Sequence, residues 1–182
     1  MLDLDATDDP LHGQQLGRFF HGYYQNDCYL PLYIFCGEHL LCAKLRPSDI
    51  DASAGALKQV QQIVTRIRAA WPKVRIILRG DSGFCRELLL RWCEDHQVDD
   101  VFGRPKNKRR TKILGQELHE VAVEHQHPKQ PARQFKEFLC RTQKSWCRER
   151  RVIGKAEHLS KGSNPRFVVP SLSVDRADPR AL

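Results

Sequence analysis

The chain has 182 residues, 41% hydrophobic and 29% charged, a balance that supports one folded core and excludes a wholly disordered chain. Its 30 Lys and Arg outweigh 22 Asp and Glu to give a formal net charge of +8, which favours an anionic partner such as nucleic acid. No apolar run approaches the roughly 18 residues of a membrane span, which argues against a membrane partner, and the opening MLDLDATDD lacks the basic-then-apolar order of a secretory leader.

Residues 1–6 predict a strand with Leu2 and Leu4 on one face and Asp3 and Asp5 on the other. A loop marked by Gly13, Gly17 and Gly22 leads to a second strand over 28–36 (CYLPLYIFC), in which Pro31 belongs near an edge or a strand start. Gly37-Glu38-His39 predicts a tight turn into a third strand over 40–46. The hydrophobic period then lengthens from two to about 3.6. Ser53 is a candidate N-cap, and Leu57, Val60, Ile63, Val64, Ile67 and Trp71 form one apolar stripe before Pro72. Next, 74–78 (VRIIL) predicts a buried strand ending in Arg79-Gly80-Asp81-Ser82-Gly83. A second helix carries Leu88, Leu89 and Trp92 to about His96, and a short strand covers 99–102.

Beyond Arg104 the composition changes. A basic run opens the region, Pro128 and Pro131 lie within it, and segments 118–124, 135–141 and 146–153 alternate as strands of a β-rich annex. A final strand is expected over 166–169. The pattern β-β-β-α-β-α-β places Asp5 and Asp81 at the ends of different strands, where neighbouring strands would let them share a metal ion.

A carboxylate at the end of a core strand needs a metal, a cation or solvent, because burying it alone is costly. Asp5 meets that description; Asp8 and Asp9 read as turn residues. Asp81 sits at a strand-to-helix rim, where it either serves chemistry or, with Ser82, caps the helix. Paired carboxylates are hard oxygen ligands suited to Mg²⁺, and two such ions cleave phosphodiesters. Glu149 and Glu157 are available as a further acid, without an obvious helix after the last strand. His119, His125 and His127 are the remaining metal-ligand types, and the seven cysteines form no C-x₂-C pair. Reduced thiols are expected, with Cys28, Cys36, Cys85 and Cys93 as small core residues. Two basic clusters are candidates for phosphate contact: Arg104, Lys106, Lys108, Arg109, Arg110 and Lys112, then Arg141, Lys144, Arg148, Arg150 and Arg151. Trp146 lies within the second, either stacking on a base or packing the annex.

The segments LDLDATDDPLHGQQ, FFHGYY with CYLPLYIFCG, VRIILRGDSGF with WCEDH, and GKAEHLSKGSNPRFVV resemble the catalytic domain of DDE transposases of the IS4-like superfamily, specifically the IS1380 family. The resemblance implies an α/β, RNase H-like mixed sheet with a β-rich insertion. Core would occupy 1–103, the insertion 104–160, and the last core strand with a tail 161–182. It implies Asp5 and Asp81 as two catalytic, metal-binding acids, Mg²⁺ (Mn²⁺ substituting) as cofactor, and double-stranded DNA as partner. A bacterial cytoplasmic location, nucleoid-associated when DNA-bound, is also implied. The pattern departs in three ways: Leu16 stands at a commonly acidic position, Pro170 ends the last strand, and no Tyr…Arg…Glu motif with the third acid occurs before Leu182. The expectation is therefore an internal fragment, truncated before the final catalytic helix, inactive alone and prone to self-association. The competing expectation is a noncatalytic DNA-binding module.

Overall fold

The computed structural model describes residues 1–125, 132–143, 145–159 and 162–172, which fall into two compact units, Met1–Asp99 and Asp100–Leu182. His127, Pro128, Pro131, Lys144 and the tail after Leu172 lie outside the described residues.

The first unit begins with β1 (Leu2–Ala6), whose Leu2 and Leu4 are buried while Asp5 is exposed, the alternation its sequence predicts. Three short strands follow: β2 (Asp9–Pro10), β3 (Phe19–His21) and β4 (Asn26–Tyr29), forming a small antiparallel sheet in the order β2-β4-β3. The single strand expected over 28–36 is thus divided. Pro31 has no N–H to donate to a ladder, so the chain leaves the small sheet at Leu30 and starts β5 (Leu32–Cys36) in the main one. β6 (His39–Lys44) pairs antiparallel with β5 after a turn in which Gly37 adopts φ +59°, a left-handed conformation that favours glycine.

Helix α1 (Ala56–Ala70) buries Ala56, Val60 and Val64. Its N-cap is Gly55 rather than Ser53, whose hydroxyl donates instead to Asp51 Oδ1 (2.6 Å). Trp71 caps the other end and is 64% exposed, so it closes the helix outside the buried stripe. β7 (Ile77–Gly80) then runs parallel to β1, and α2 (Glu87–Asp95) buries Leu89, Leu90 and Cys93. Within this unit the main strands lie in the order β6-β5-β1-β7, antiparallel except for β1 and β7. This is a mixed sheet with interspersed helices, consistent with an RNase H-like arrangement.

The second unit takes up β8 (Asp99–Arg104) and continues through α3 (Lys108–Ile113) and α4 (Gly115–His125). Segment 118–124, expected as a strand, is helical. Val-Ala-Val alternates locally, but Leu114, Leu118 and Val121 recur at helical spacing, and Leu114 and Val121 are fully buried. β9 (Arg133–Cys140) and β10 (Arg150–Leu159) form a long antiparallel ladder, from Arg150 opposite Cys140 to Glu157 opposite Arg133. β11 (Gly162–Ser163) pairs with β10, and β12 (Arg166–Pro170) lies between β10 and β8. Gly154 of β10 is needed for this packing, since a Cβ there would stand 3.0 Å from Leu114 and 3.2 Å from Phe167.

All seven cysteines are free thiols; Cys28, Cys85 and Cys93 are buried and Cys36 is half-buried. Among the described residues, no helix is long and apolar enough to cross a membrane.

Candidate functional site

Parallel pairing of β1 with β7 aligns Leu2 with Leu78, Asp3 with Arg79 and Leu4 with Gly80. The paired register ends there; Asp5 is the next residue of β1, and Asp81 is the first residue after β7. The sequence separation of 76 residues is closed by backbone pairing and by the Arg79–Asp3 ion pair at 2.5 Å. That pair occupies Asp3, while Asp5 and Asp81 are both exposed at the rim.

The turn after β7 sets the orientation of Asp81. Its Oδ1 accepts the Gly83 N–H at 2.8 Å, and its carbonyl accepts the Phe84 N–H at 3.2 Å. An Asp bonded two residues ahead is a local turn, so the capping alternative is met within the turn rather than at the start of α2, where Arg86 is the N-cap. Gly83 has no room for a side chain: a Cβ would lie 2.9 Å from Asp81 Oδ1 and 3.1 Å from Ala52 Cβ. Arg86 braces the turn, donating to the Ser82 carbonyl (3.3 Å) and to Asp51 Oδ2 (2.7 Å). Burial pushes the Asp51 carboxyl up, but hydrogen bonds from Arg86 and Ser53 outweigh it and hold it at about 2.

On the other side stands Tyr24, between β3 and β4. Its hydroxyl donates to the Ala6 carbonyl at 3.4 Å, one residue beyond Asp5. Burial pushes its phenol up, and the negative charges of Asp8, Tyr23, Asp5 and Asp81 push it further. Asp8 is held by Asn26, whose Nδ2 donates at 3.2 Å. Tyr24 ends the FFHGYY segment but received no role from the sequence, and no motif marks the Asp51–Arg86 brace.

Asp5 and Asp81 fit a Mg²⁺ or Mn²⁺ ion in donor chemistry. Both are exposed hard-oxygen ligands, and Mg²⁺ commonly takes one or two carboxylates and completes its shell with water and substrate phosphate. Among the described residues, no three His, Cys, Asp or Glu side chains gather to hold a metal. In the second unit Glu149 is exposed. Glu157 is buried against Arg133 (2.9 Å) and Lys155 (3.2 Å), which use its charge in structure. His119 is exposed, and His125 packs against His158 with ring centroids 4.8 Å apart.

The basic residues divide sharply. Lys106, Lys108, Arg109 and Lys112 are exposed, and Lys106, Asn107, Lys108, Thr111 and Lys112 line an open groove of about 570 Å³ together with Gly115 and Leu118. Arg110 is buried instead, donating to the Pro105 carbonyl and lying over the Phe167 ring at 5.9 Å. Arg104 and Arg150 lie over the ring of Trp146 at 4.7 and 5.4 Å. Trp146 is buried, so of its two readings the packing one describes its place. Arg150 is likewise buried, and Arg151 pairs with Glu137 and donates to the Leu172 carbonyl (2.7 Å). Arg148 and Arg141 are exposed. The periodicity of α3 explains the split: a helix must turn one side of a Lys-Arg-Arg-Thr-Lys run inward, and Arg110 is on that side.

Residues 1–182 match the sequence profile of the family described as Transposase DDE domain group 1. The chain belongs to that family. Among curated proteins, none matches it. Among solved structures it is similar to a piggyBac transposase synaptic complex with hairpin DNA, at 10% identity and a TM-score of 0.51. That match covers 97% of this chain and 34% of the piggyBac chain, and at such identity it shows a shared fold. In this member of the family the two candidate acids each follow directly on the last pair of the parallel β1–β7 ladder, Leu4 with Gly80.

Proposed function

We propose that this chain is the catalytic-core portion of a DDE transposase, of IS1380 type by its motifs, acting in Mg²⁺-dependent cleavage and transfer of DNA strands. The observation that supports the reading is the parallel pairing of β1 with β7 up to Leu4 and Gly80, the residues that immediately precede Asp5 and Asp81. A divalent ion bound there would activate an attacking oxygen and stabilise a leaving one at a phosphodiester. The chain's own contribution is to hold two carboxylates on rigid strand ends, to orient Asp81 through Gly83, and to neutralise Asp3 with Arg79. Core over 1–103, insertion over 104–160 and last strand with tail over 161–182 is the division we propose. We place the protein in the bacterial cytoplasm, at the nucleoid when DNA-bound, and expect self-association.

Double-stranded DNA is the proposed partner. Lys106, Lys108, Arg109 and Lys112, with Arg148, supply phosphate contact, and the open lysine-lined groove favours sequence-independent binding. That groove also supports the second reading, a DNA-binding module without catalysis. Two carboxylates give part of a ligand shell, so this chain alone is expected to bind the ion and DNA without specific nicking.

The test measures Mn²⁺ affinity, DNA affinity against salt, and nicking of transposon-end DNA for the parent, Asp5→Ala and Asp81→Ala. Loss of Mn²⁺ binding in both variants supports the site; unchanged binding rejects it. Nicks by the parent that both variants lack would overturn the expected inactivity. Replacing Lys106, Lys108 and Lys112 together by Gln should lower the salt slope by roughly 0.9 per lysine that contacts phosphate, and an unchanged slope removes the groove from the DNA interface.

A further inference from the structure

Tyr24 is a polar group at the end of β1 that the proposed chemistry leaves unused. Its ring is fixed on two sides, with the His21 ring centroid at 4.9 Å and that of Tyr23 at 5.0 Å, edge to face. Its hydroxyl reaches the carbonyl of Ala6, the last residue of β1 and the neighbour of Asp5. At 3.4 Å that bond is well beyond the usual 2.5–3.0 Å of an O–H···O bond, so it costs little to exchange for a stronger acceptor.

We propose that Tyr24 belongs to this site and donates its hydroxyl hydrogen bond to a non-bridging phosphate oxygen of a DNA strand held over Asp5 and Asp81. This rests on the reading of those aspartates as the ion site. The chemistry is complementary. Two carboxylates repel a phosphodiester, an ion between them reverses that repulsion, and a neutral donor at the rim fixes one phosphate oxygen without adding charge. A lysine in its place would pair with Asp5 or Asp8 and compete with the ion; a phenol does not.

Labelling the full chain with 3-fluorotyrosine gives one ¹⁹F signal for each of its four tyrosines, and the signal missing from Tyr24→Phe identifies Tyr24. A small fraction of an equivalent of Mn²⁺ should broaden that signal, and Asp5→Asn or Asp81→Asn should restore it. Separately, Tyr24→Phe, which keeps the ring contacts, should weaken Ca²⁺-dependent binding of duplex DNA about tenfold while leaving Mn²⁺ affinity unchanged. A Tyr24 signal that stays sharp while both aspartate variants lose Mn²⁺ overturns the placement of Tyr24 and leaves the ion site standing. Mn²⁺ binding insensitive to both aspartates overturns the ion site itself. Unchanged DNA affinity in Tyr24→Phe overturns the donor role.

Discussion

Replacing Gly83 by alanine puts a methyl group where the turn after β7 has no space. The new carbon would lie 2.9 Å from Asp81 Oδ1 and 3.1 Å from Ala52 Cβ, inside the roughly 3.5–4.0 Å of an optimal contact. The carboxylate can swing aside by about half an ångström, but in doing so it gives up the 2.8 Å bond from Gly83 N–H, a loss of about 0.5–1.5 kcal/mol. Ala52 is the stiffer neighbour, and easing it away adds an overpacking cost of about 1 kcal/mol or less. Together these come to about 0.5–2.5 kcal/mol, or a fall in urea midpoint of roughly 0.3–1.2 M for a slope near 2 kcal/mol/M. The same change turns Asp81 away from Asp5, so Mn²⁺ affinity should fall with it. Gly115→Ala is the control. Nothing stands within 4 Å of its Cβ position, and it opens α4, so helix propensity should leave it neutral or stabilised by up to about 1 kcal/mol. A Gly83→Ala protein that unfolds at the parental urea concentration and binds Mn²⁺ as the parent does would refute the role assigned to this turn.

Asp51 should contribute an acid-sensitive increment of stability. Its carboxyl is held at about 2 against an ordinary 3.8, so the contribution is complete above the higher value and is lost as pH falls through the lower. The Arg86–Asp51 pair is 43% and 49% exposed, which leaves the increment below about 1 kcal/mol; Asp51→Ala should flatten the urea midpoint across that pH interval. Gly154→Ala should cost about 1–3 kcal/mol, because the added methyl meets Leu114 at 3.0 Å and Phe167 at 3.2 Å, and thermal denaturation would measure it. Arg110→Met should lower thermal stability while leaving the salt slope of DNA binding at its parental value, since the guanidinium is turned inward. A reduced slope would place Arg110 at the DNA after all.

Much of the first unit was legible because its signals are local. A strand of Ile and Leu followed by Gly-Asp-Ser-Gly and an amphipathic stretch specifies a strand, a turn and a helix wherever they occur; β7 and α2 take those types, but β7 starts three residues later than 74 and α2 buries Leu90 and Cys93 with Leu89 while Leu88 is exposed. The adjacency of β1 and β7 was a conjecture from element order, and only the structure shows their parallel pairing. Tyr24 lies in the recognised FFHGYY segment, but its place at the rim was illegible. It reaches the rim through a small sheet whose strands have two to four residues, too short for periodicity to reveal. The basic run misled in a different way. Composition counts Arg110 with its neighbours, whereas the turn of α3 and the Phe167 ring decide which cation faces solvent. For α4, the Val-Ala-Val alternation hid a helical repeat that depends on Leu114, outside the window read as a strand.

The position of β1 also governs when the site comes into being. It pairs with β5 through residues about thirty positions away, but with β7 across a separation of 76. Contacts of such long range require the largest loop closure in the unit. As the chain is synthesised, β1, β5 and β6 are all present and able to pair before β7 has been made. Asp5 therefore waits on a sheet edge that Asp81 later completes. In a nascent or half-folded chain the proposed site is incomplete, because the β1–β7 pairing that precedes Asp5 and Asp81 forms only when β7 docks against β1.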